Sequence, residues 1–187
     1  MQLYSGGCII LLMIEIQIIF VLLFALNMIM LWSAILSGRL LGYRFIAYAL
    51  FLLIPMVTVY FDQPHFELDY YWWIVAGYAA IVLGSVSCYL AKQELKINGA
   101  QWFQARQTNL VTAGLYQYLR HPIYLGLIFS LVGWWWVWSA VYSFYFGMFM
   151  LAMIWLHGYL EERLLMEKIF GQAYLEYKQR TGMFWVK

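Results

Sequence analysis

The chain has 187 residues, of which 65% are hydrophobic and only 11% are charged. Soluble globular domains carry about 25% charged residues, so this chain has too few charges to cover the surface of a soluble fold. Disorder is excluded too, because disordered chains are polar and charged. The net charge of +2 is too small to indicate a nucleic-acid partner, and two cysteines, Cys8 and Cys88, are too few for a disulfide framework. Composition therefore predicts an integral membrane protein.

Long apolar runs define the predicted membrane spans, since a helix needs about 20 apolar residues to cross a bilayer. The runs cover residues 10–36, 46–61, 71–91 and 122–157. The last run is too long for one span, and Gly133 and the residues around Ser139 indicate a hairpin of two helices. No basic segment precedes the first run, so we expect that run to remain as a span. The sequence predicts an all-α polytopic membrane protein with five transmembrane helices, multi-pass, whose last two helices form a hairpin.

The predicted organisation follows from these runs. Residues 1–91 hold three N-terminal spans, and residues 92–187 hold a polar loop, the hairpin and a C-terminal helical extension, which we expect to form one integrated domain. Two arginines and no acids lie in residues 37–45, four bases and one acid lie in 92–121, and three acids and no bases lie in 62–70. Positive loops stay in the cytoplasm. The N-terminus is therefore expected outside, and the C-terminus and the extension in the cytoplasm.

Two residues inside the first spans attract attention. Glu15 is a candidate functional carboxylate because charged groups in the membrane are costly, although its position near the end of the span favours a simple interfacial role. Pro55 predicts a kink in the second span. Neither observation decides between function and packing.

A polar motif marks the cytoplasmic start of the hairpin. Residues 120–126 read RHPIYLG, and proline is favoured at the first position of a helix because its missing N–H would be unpaired there anyway. This places His121 at the helix cap. The free backbone N–H groups of the first turn carry partial positive charge, which suits an anion.

The hairpin should bring further polar groups to the same level. His121 and Ser139 are 18 residues apart, as are Ser139 and His157, so each arm is roughly 27 Å long. His157 then returns to the depth of His121, and Glu161 and Glu162 follow one turn later. Because the two glutamates are consecutive, at most one should face the site. A solvated helix face, with Arg163 and Glu167 paired at i,i+4, is the alternative, but the convergence with RHPIYLG favours a functional site.

Three blocks in this order have a family resemblance. Residues 101–184 resemble the isoprenylcysteine carboxyl methyltransferase and phospholipid methyltransferase families. The resemblance lies in GLYQYLRHPIYLG, then the hairpin and EERLL, then FGQAYLEYKQRT. The resemblance implies an S-adenosyl-L-methionine site at the cytoplasmic face. The cofactor-binding residues that it implies are Gln101, Thr108, Asn109, Leu110, Val111, Tyr116, His121, Pro122, Ile123, Tyr124 and Glu162.

Physical roles fit these positions. The helix N-terminus and His121 suit the cofactor's carboxylate, and Glu162 suits its ammonium group. Tyr116 and Tyr124 offer aromatic faces to the adenine or the sulfonium. The backbone of Leu110 and Val111 suits the adenine edge.

The acceptor is less well defined. Isoprenylcysteine enzymes carry a substrate-binding arginine at the position of Gly158, so the candidate catalytic residues are His157 and Arg180, as cations for an anionic acceptor, and Glu161. Either Glu161 or His157 can take the proton of an amine acceptor. We expect a lipid or amphiphilic substrate, a carboxylate, an amine or a thiol, that enters from the bilayer, and no metal. The sequence does not indicate an oligomeric state.

Two other functions compete with methyl transfer. Membrane sterol reductases resemble this hairpin and bind NADPH at the same face, but RHPIYLG favours a methyltransferase. A non-catalytic lipid-binding protein is the second alternative, and the intact His121, Tyr124 and Glu162 argue against it.

Overall fold

A computed structural model describes residues 63–67, 71–100 and 109–187, together with Ile29. The chain divides into two compact units, Met1–Leu50 and Phe51–Lys187, and all of the described residues except Ile29 lie in the second. Apart from Ile29, the first two predicted spans lie outside the described residues, as do Glu15, Pro55, Gln101 and Thr108. In the described ranges there is no β-strand, and only two isolated β-bridges occur, His65 with Ala140 and Leu119 with Gly182.

The described part is helical, as the sequence predicts. Helix α1 is Tyr71–Ile97, α2 is Pro122–Trp138 and α3 is Val141–Glu161; a π-helical turn, Glu162–Met166, continues α3 into the short helix α4, Glu167–Phe170. After Gly171 comes helix α5, Gln172–Arg180, and a 3₁₀ turn, Gly114–Gln117, precedes α2. The π-helical turn was not predicted.

Two stretches of this structure are long and apolar enough to cross a membrane. They are α1 and the continuous helical stretch Val141–Phe170. Helix α2 is also apolar but is shorter, with 17 residues. Length and composition thus agree with the third predicted span and with the second arm of the hairpin. The total of five spans and their orientation remain predictions.

Helices α1 and α2 approach each other closely because glycines face each other. A Cβ atom built on Gly84 would lie 2.4 Å from the carbonyl oxygen of Gly126, and one on Gly133 would lie 2.5 Å from that of Gly77. Small residues permit such backbone contact between membrane helices. Gly133 therefore lies inside α2 as a packing residue and does not form the hairpin turn.

The turn between α2 and α3 lies at Ser139, which has a left-handed conformation with φ 46°. Gln63, from the segment 63–67, contacts the start of α3. Its side-chain amide oxygen accepts hydrogen bonds from the backbone N–H groups of Tyr142, at 3.0 Å, and Ser143, at 3.2 Å. These N–H groups belong to the first turn of α3 and have no partner within the helix. Gln63 thus caps α3 and fixes the turn.

The C-terminal residues fold back on the start of α2. The backbone N–H of Arg120 donates to the Gly182 oxygen at 2.9 Å, and that of His121 donates to the Met183 oxygen at 3.2 Å. The Tyr177 hydroxyl donates to the Tyr116 carbonyl at 2.5 Å. These bonds bring the C-terminal extension against the RHPIYLG motif.

Candidate active site

An open cleft lies where the ends of α1, α2 and α3 meet the C-terminal extension. It encloses about 560 Å³, including the part open to solvent. Apolar side chains, four buried tyrosines, two basic side chains and one carboxylate surround it. The cleft is lined by Leu95, Leu110, Val111, Tyr116, Arg120, His121, Ile123, Tyr124, Glu161, Met166, Tyr174 and Tyr177.

The first turn of α2 forms one wall of the cleft. His121 is the residue that caps the helix and Pro122 is its first residue, which confirms the predicted cap. His121 is buried, and its ring stacks on that of Tyr124 with centroids 5.1 Å apart. The N-terminus of a helix carries partial positive charge, so this wall suits an anionic ligand group.

The two consecutive glutamates have different surroundings. The Glu161 carboxylate lines the cleft and accepts a hydrogen bond of 2.6 Å from the Tyr124 hydroxyl. Glu162 is 1% exposed and is not part of the lining. The structure thus directs Glu161, and not Glu162, toward the cleft.

Glu162 is held by three basic side chains. Its Oε1 atom accepts from Arg120 Nε at 2.7 Å and from His121 Nε2 at 3.0 Å. Its Oε2 atom lies 3.3 Å from Arg120 Nη2 and 3.2 Å from Lys178 Nζ. A carboxylate buried this deeply is stable only when it is paired, and both oxygens already have partners.

Three tyrosines near the cleft are kept neutral by their burial. Loss of hydration raises the pKa of Tyr116, Tyr174 and Tyr177 well above the ordinary value of 10.0. A neutral phenol has an O–H to donate, as Tyr177 does to Tyr116. These rings therefore supply apolar surface and hydrogen-bond donors but no negative charge.

The structure brings together many of the predicted site residues, but not all of them. Seven line the cleft: Leu110, Val111, Tyr116, His121, Ile123, Tyr124 and Glu161. Pro122 is buried at the start of α2, and the Asn109 side chain donates to the Asn98 carbonyl at 3.2 Å, outside the lining. His157 is buried one turn before Glu161 and Arg180 is exposed at the end of α5; neither lines the cleft.

Several lining residues were not anticipated. The sequence marks Arg120 only as a charge of the polar loop, and the pair Tyr174 and Tyr177 only as part of the block FGQAYLEYKQRT. The spacing of this pair, three residues apart on a helix, puts both rings on one face. This spacing of the two tyrosines in AYLEYK is typical of a buried helix face. Only the fold shows that this face of α5 lines the cleft.

Gly158 faces the C-terminal segment. A Cβ atom built there would lie 2.5 Å from Met183 Cε, 3.5 Å from Phe184 Cζ and 3.6 Å from Tyr124 Cδ2. The space beside Gly158 is therefore filled by apolar and aromatic atoms. A longer side chain at this position fits only if the Met183 side chain moves.

A comparison with known protein families identifies the family of this chain. The family model for phospholipid methyltransferases matches residues 72–173, which is more than half of the chain and spans α1, the RHPIYLG motif, the hairpin and both glutamates. No curated protein and no solved structure matches the chain. In the described ranges no three histidine, cysteine, aspartate or glutamate side chains are grouped to hold a metal ion. The chain belongs to the phospholipid methyltransferase family and is a membrane methyltransferase.

Proposed function

We propose that this protein transfers a methyl group from S-adenosyl-L-methionine to a lipophilic or amphiphilic acceptor at the membrane surface. The observation that carries the proposal is the shared cleft of the α2 N-terminus and the Glu161 carboxylate. One wall suits an anion and the other suits a cation, as the amino-acid part of this cofactor requires.

The residues of the cleft fit the cofactor in three parts. His121 and the positive N-terminus of α2 suit a carboxylate, and Glu161 suits an ammonium group. Leu110, Val111 and Tyr116 offer an apolar edge and an aromatic face for a purine. Bound there, the cofactor supplies an electrophilic methyl group on a sulfonium. Gln101, Thr108, Asn109 and Pro122 remain in the proposed contact set on the strength of the family resemblance. The resemblance also implies Glu162, but both of its carboxylate oxygens are bonded to basic side chains, so we propose that it supports the site indirectly.

An amine is the acceptor that this cleft favours. The lining holds one permanent cation, Arg120, and its guanidinium is already bonded to Glu162. A carboxylate acceptor requires a cation that is available, and the other candidate, Arg180, is exposed outside the cleft. N-methylation of a neutral amine gives a cationic product that then releases one proton. Because Glu161 is proposed to pair with the cofactor's ammonium group, His157 is the proposed base, with Glu161 as the alternative.

The membrane supplies the geometry of access. The acceptor enters from the bilayer, beside the ends of the apolar helices, and the water-soluble cofactor enters from the cytoplasm. Both statements rest on the predicted orientation. An NADPH-dependent reduction is not favoured, because the dinucleotide phosphate requires available basic side chains and Arg120 is already engaged.

The test is methyl transfer by the purified protein in nanodiscs with methyl-labelled S-adenosylmethionine. Vesicles of phosphatidylethanolamine present an amine, and N-acetyl-S-farnesylcysteine presents a prenylated carboxylate. We expect label in the amine lipid, and we expect Glu161→Gln to lose at least tenfold in rate while the exposed control Glu176→Gln keeps the parent's rate. Label in the carboxylate alone contradicts the acceptor assignment, and NADPH oxidation without methyl transfer contradicts the function.

A further inference from the structure

The Arg120 side chain joins three parts of the structure around the cleft. It is 7% exposed. Its Nε and Nη2 atoms donate to the two oxygens of Glu162, at 2.7 and 3.3 Å. Its Nη1 atom donates to the backbone carbonyls of Lys178, at 3.2 Å, and Thr181. One guanidinium thus connects the start of α2, the end of α3 and the end of α5.

The contacts at α5 are those of a helix C-cap. The last carbonyls of a helix have no intrahelical partner and carry partial negative charge. Arg120 satisfies the carbonyl of Lys178 and that of Thr181, which directly follows the helix. Helix α5 presents Tyr174 and Tyr177 to the cleft, so a cap that fixes its end also fixes this wall.

The charges around Arg120 balance. Lys178 Nζ lies 3.2 Å from Glu162 Oε2 and 2.9 Å from Glu167 Oε1, so two permanent cations face two carboxylates. Each oxygen of the Glu162 carboxylate is bonded to at least one basic side chain. Four of the five N–H donors of Arg120 are therefore bonded to protein groups, although Arg120 borders the cleft.

We propose that Arg120 is the positioning residue of the cleft: it holds the Glu162 carboxylate and the end of α5, and through them His121, Tyr174 and Tyr177, in the arrangement that binds the cofactor. This inference rests on the proposed function, and it assigns Arg120 and Glu162 to the framework and Glu161 to the ligand. Lysine cannot replace arginine fully, because a single ammonium group lacks the planar fork that reaches a carboxylate and two carbonyls together.

A double-mutant cycle tests the proposal by calorimetric binding of S-adenosylhomocysteine. We expect Arg120→Gln and Glu162→Gln each to weaken binding about tenfold, and the double variant to bind no more weakly than the worse single variant, because the two residues act through one contact. Arg120→Lys should recover part of the loss. The matched control Arg163→Gln removes an exposed arginine one residue from Glu162 and should bind within twofold of the parent. Additive losses overturn the proposal, since they mean that Arg120 contacts the ligand itself, and so does unchanged binding by Arg120→Gln.

Hydrogen–deuterium exchange without ligand separates this inference from the proposed function. Arg120→Gln should accelerate exchange at least tenfold at the backbone N–H of Thr181, which donates to Tyr177, and across the end of α5, while α2 and α1 keep the parent's protection. Exchange equal to that of Arg163→Gln overturns the positioning role. Failure of the parent to bind S-adenosylhomocysteine overturns the proposed function alone, and the exchange result then decides the role of Arg120.

Discussion

The Tyr124 hydroxyl donates a hydrogen bond of 2.6 Å to Glu161 Oε2 across 37 residues of sequence. This bond joins the first turn of α2 to the last residue of α3 at the edge of the cleft. It orients the one carboxylate that lines the cleft, beside a helix N-terminus that suits the opposite charge.

Removal of that hydroxyl should weaken the cofactor site. This bond fixes the direction of the Glu161 carboxylate before the cofactor binds, so Tyr124→Phe should reduce the affinity for S-adenosylhomocysteine by roughly tenfold through the loss of that preorganisation. Calorimetry measures it, with the exposed Tyr118→Phe as the matched control. Equal affinities of the two variants would show that Glu161 does not depend on Tyr124.

The glycine contacts between α1 and α2 predict a stability effect. A methyl group on Gly84 has to displace the backbone of Gly126, which is costly because backbone atoms cannot rotate away. Gly84→Ala should destabilise the protein by about 1–3 kcal/mol, seen as a lower midpoint of thermal unfolding in detergent. Ser85→Ala, at the neighbouring exposed position, controls for the substitution itself. A midpoint for Gly84→Ala equal to that of the control would contradict the close crossing.

Because Met183 fills the space beside Gly158, we expect a substitution of Met183 to offset the destabilisation caused by a large side chain at position 158. Gly158→Arg should lower the unfolding midpoint because the new side chain displaces Met183. The second substitution Met183→Ala should recover part of the loss, since it removes the atom that blocks the position. If the double variant is less stable than the sum of the two single effects predicts, Met183 does not fill this space.

The buried tyrosines predict that stability declines at high pH. Their folded pKa values lie above the ordinary 10.0, so the unfolded chain releases phenolic protons first as the pH rises. Stability is therefore fully present below about pH 10 and falls above it, by up to about 1.4 kcal/mol per pH unit for each group. Tyr174→Phe should make this decline shallower in chemical unfolding between pH 9 and 11, with Tyr118→Phe as the control. A slope unchanged from the parent would contradict the burial of the Tyr174 phenol.

The sequence predicts several residues of the cleft but not the contacts that these residues make with each other. Pro122 indicated a helix start and therefore the cap at His121, and the equal lengths of the two hairpin arms predicted that the glutamates return to it. The π-helical turn that begins at Glu162 has no comparable signal in the sequence. Consecutive helical residues point in different directions, so the sequence predicts that at most one glutamate faces the site. It does not predict that Glu161 lines the cleft and that Glu162 pairs with Arg120. The bonds of Arg120 to α5 also could not be predicted, because they join segments about 60 residues apart through backbone carbonyls, which carry no sequence identity. His157 and Arg180 stay predictions as acceptor-side residues.

The most direct test of the central claim is the calorimetric affinity of the purified protein for S-adenosylhomocysteine, compared among the parent, Glu161→Gln, His121→Ala and Glu176→Gln. We expect that the parent binds, that the first two variants bind at least tenfold more weakly, and that the exposed Glu176→Gln matches the parent. A folded parent that does not bind, or a Glu161→Gln variant that binds as the parent does, would contradict the assignment of this cleft to the cofactor.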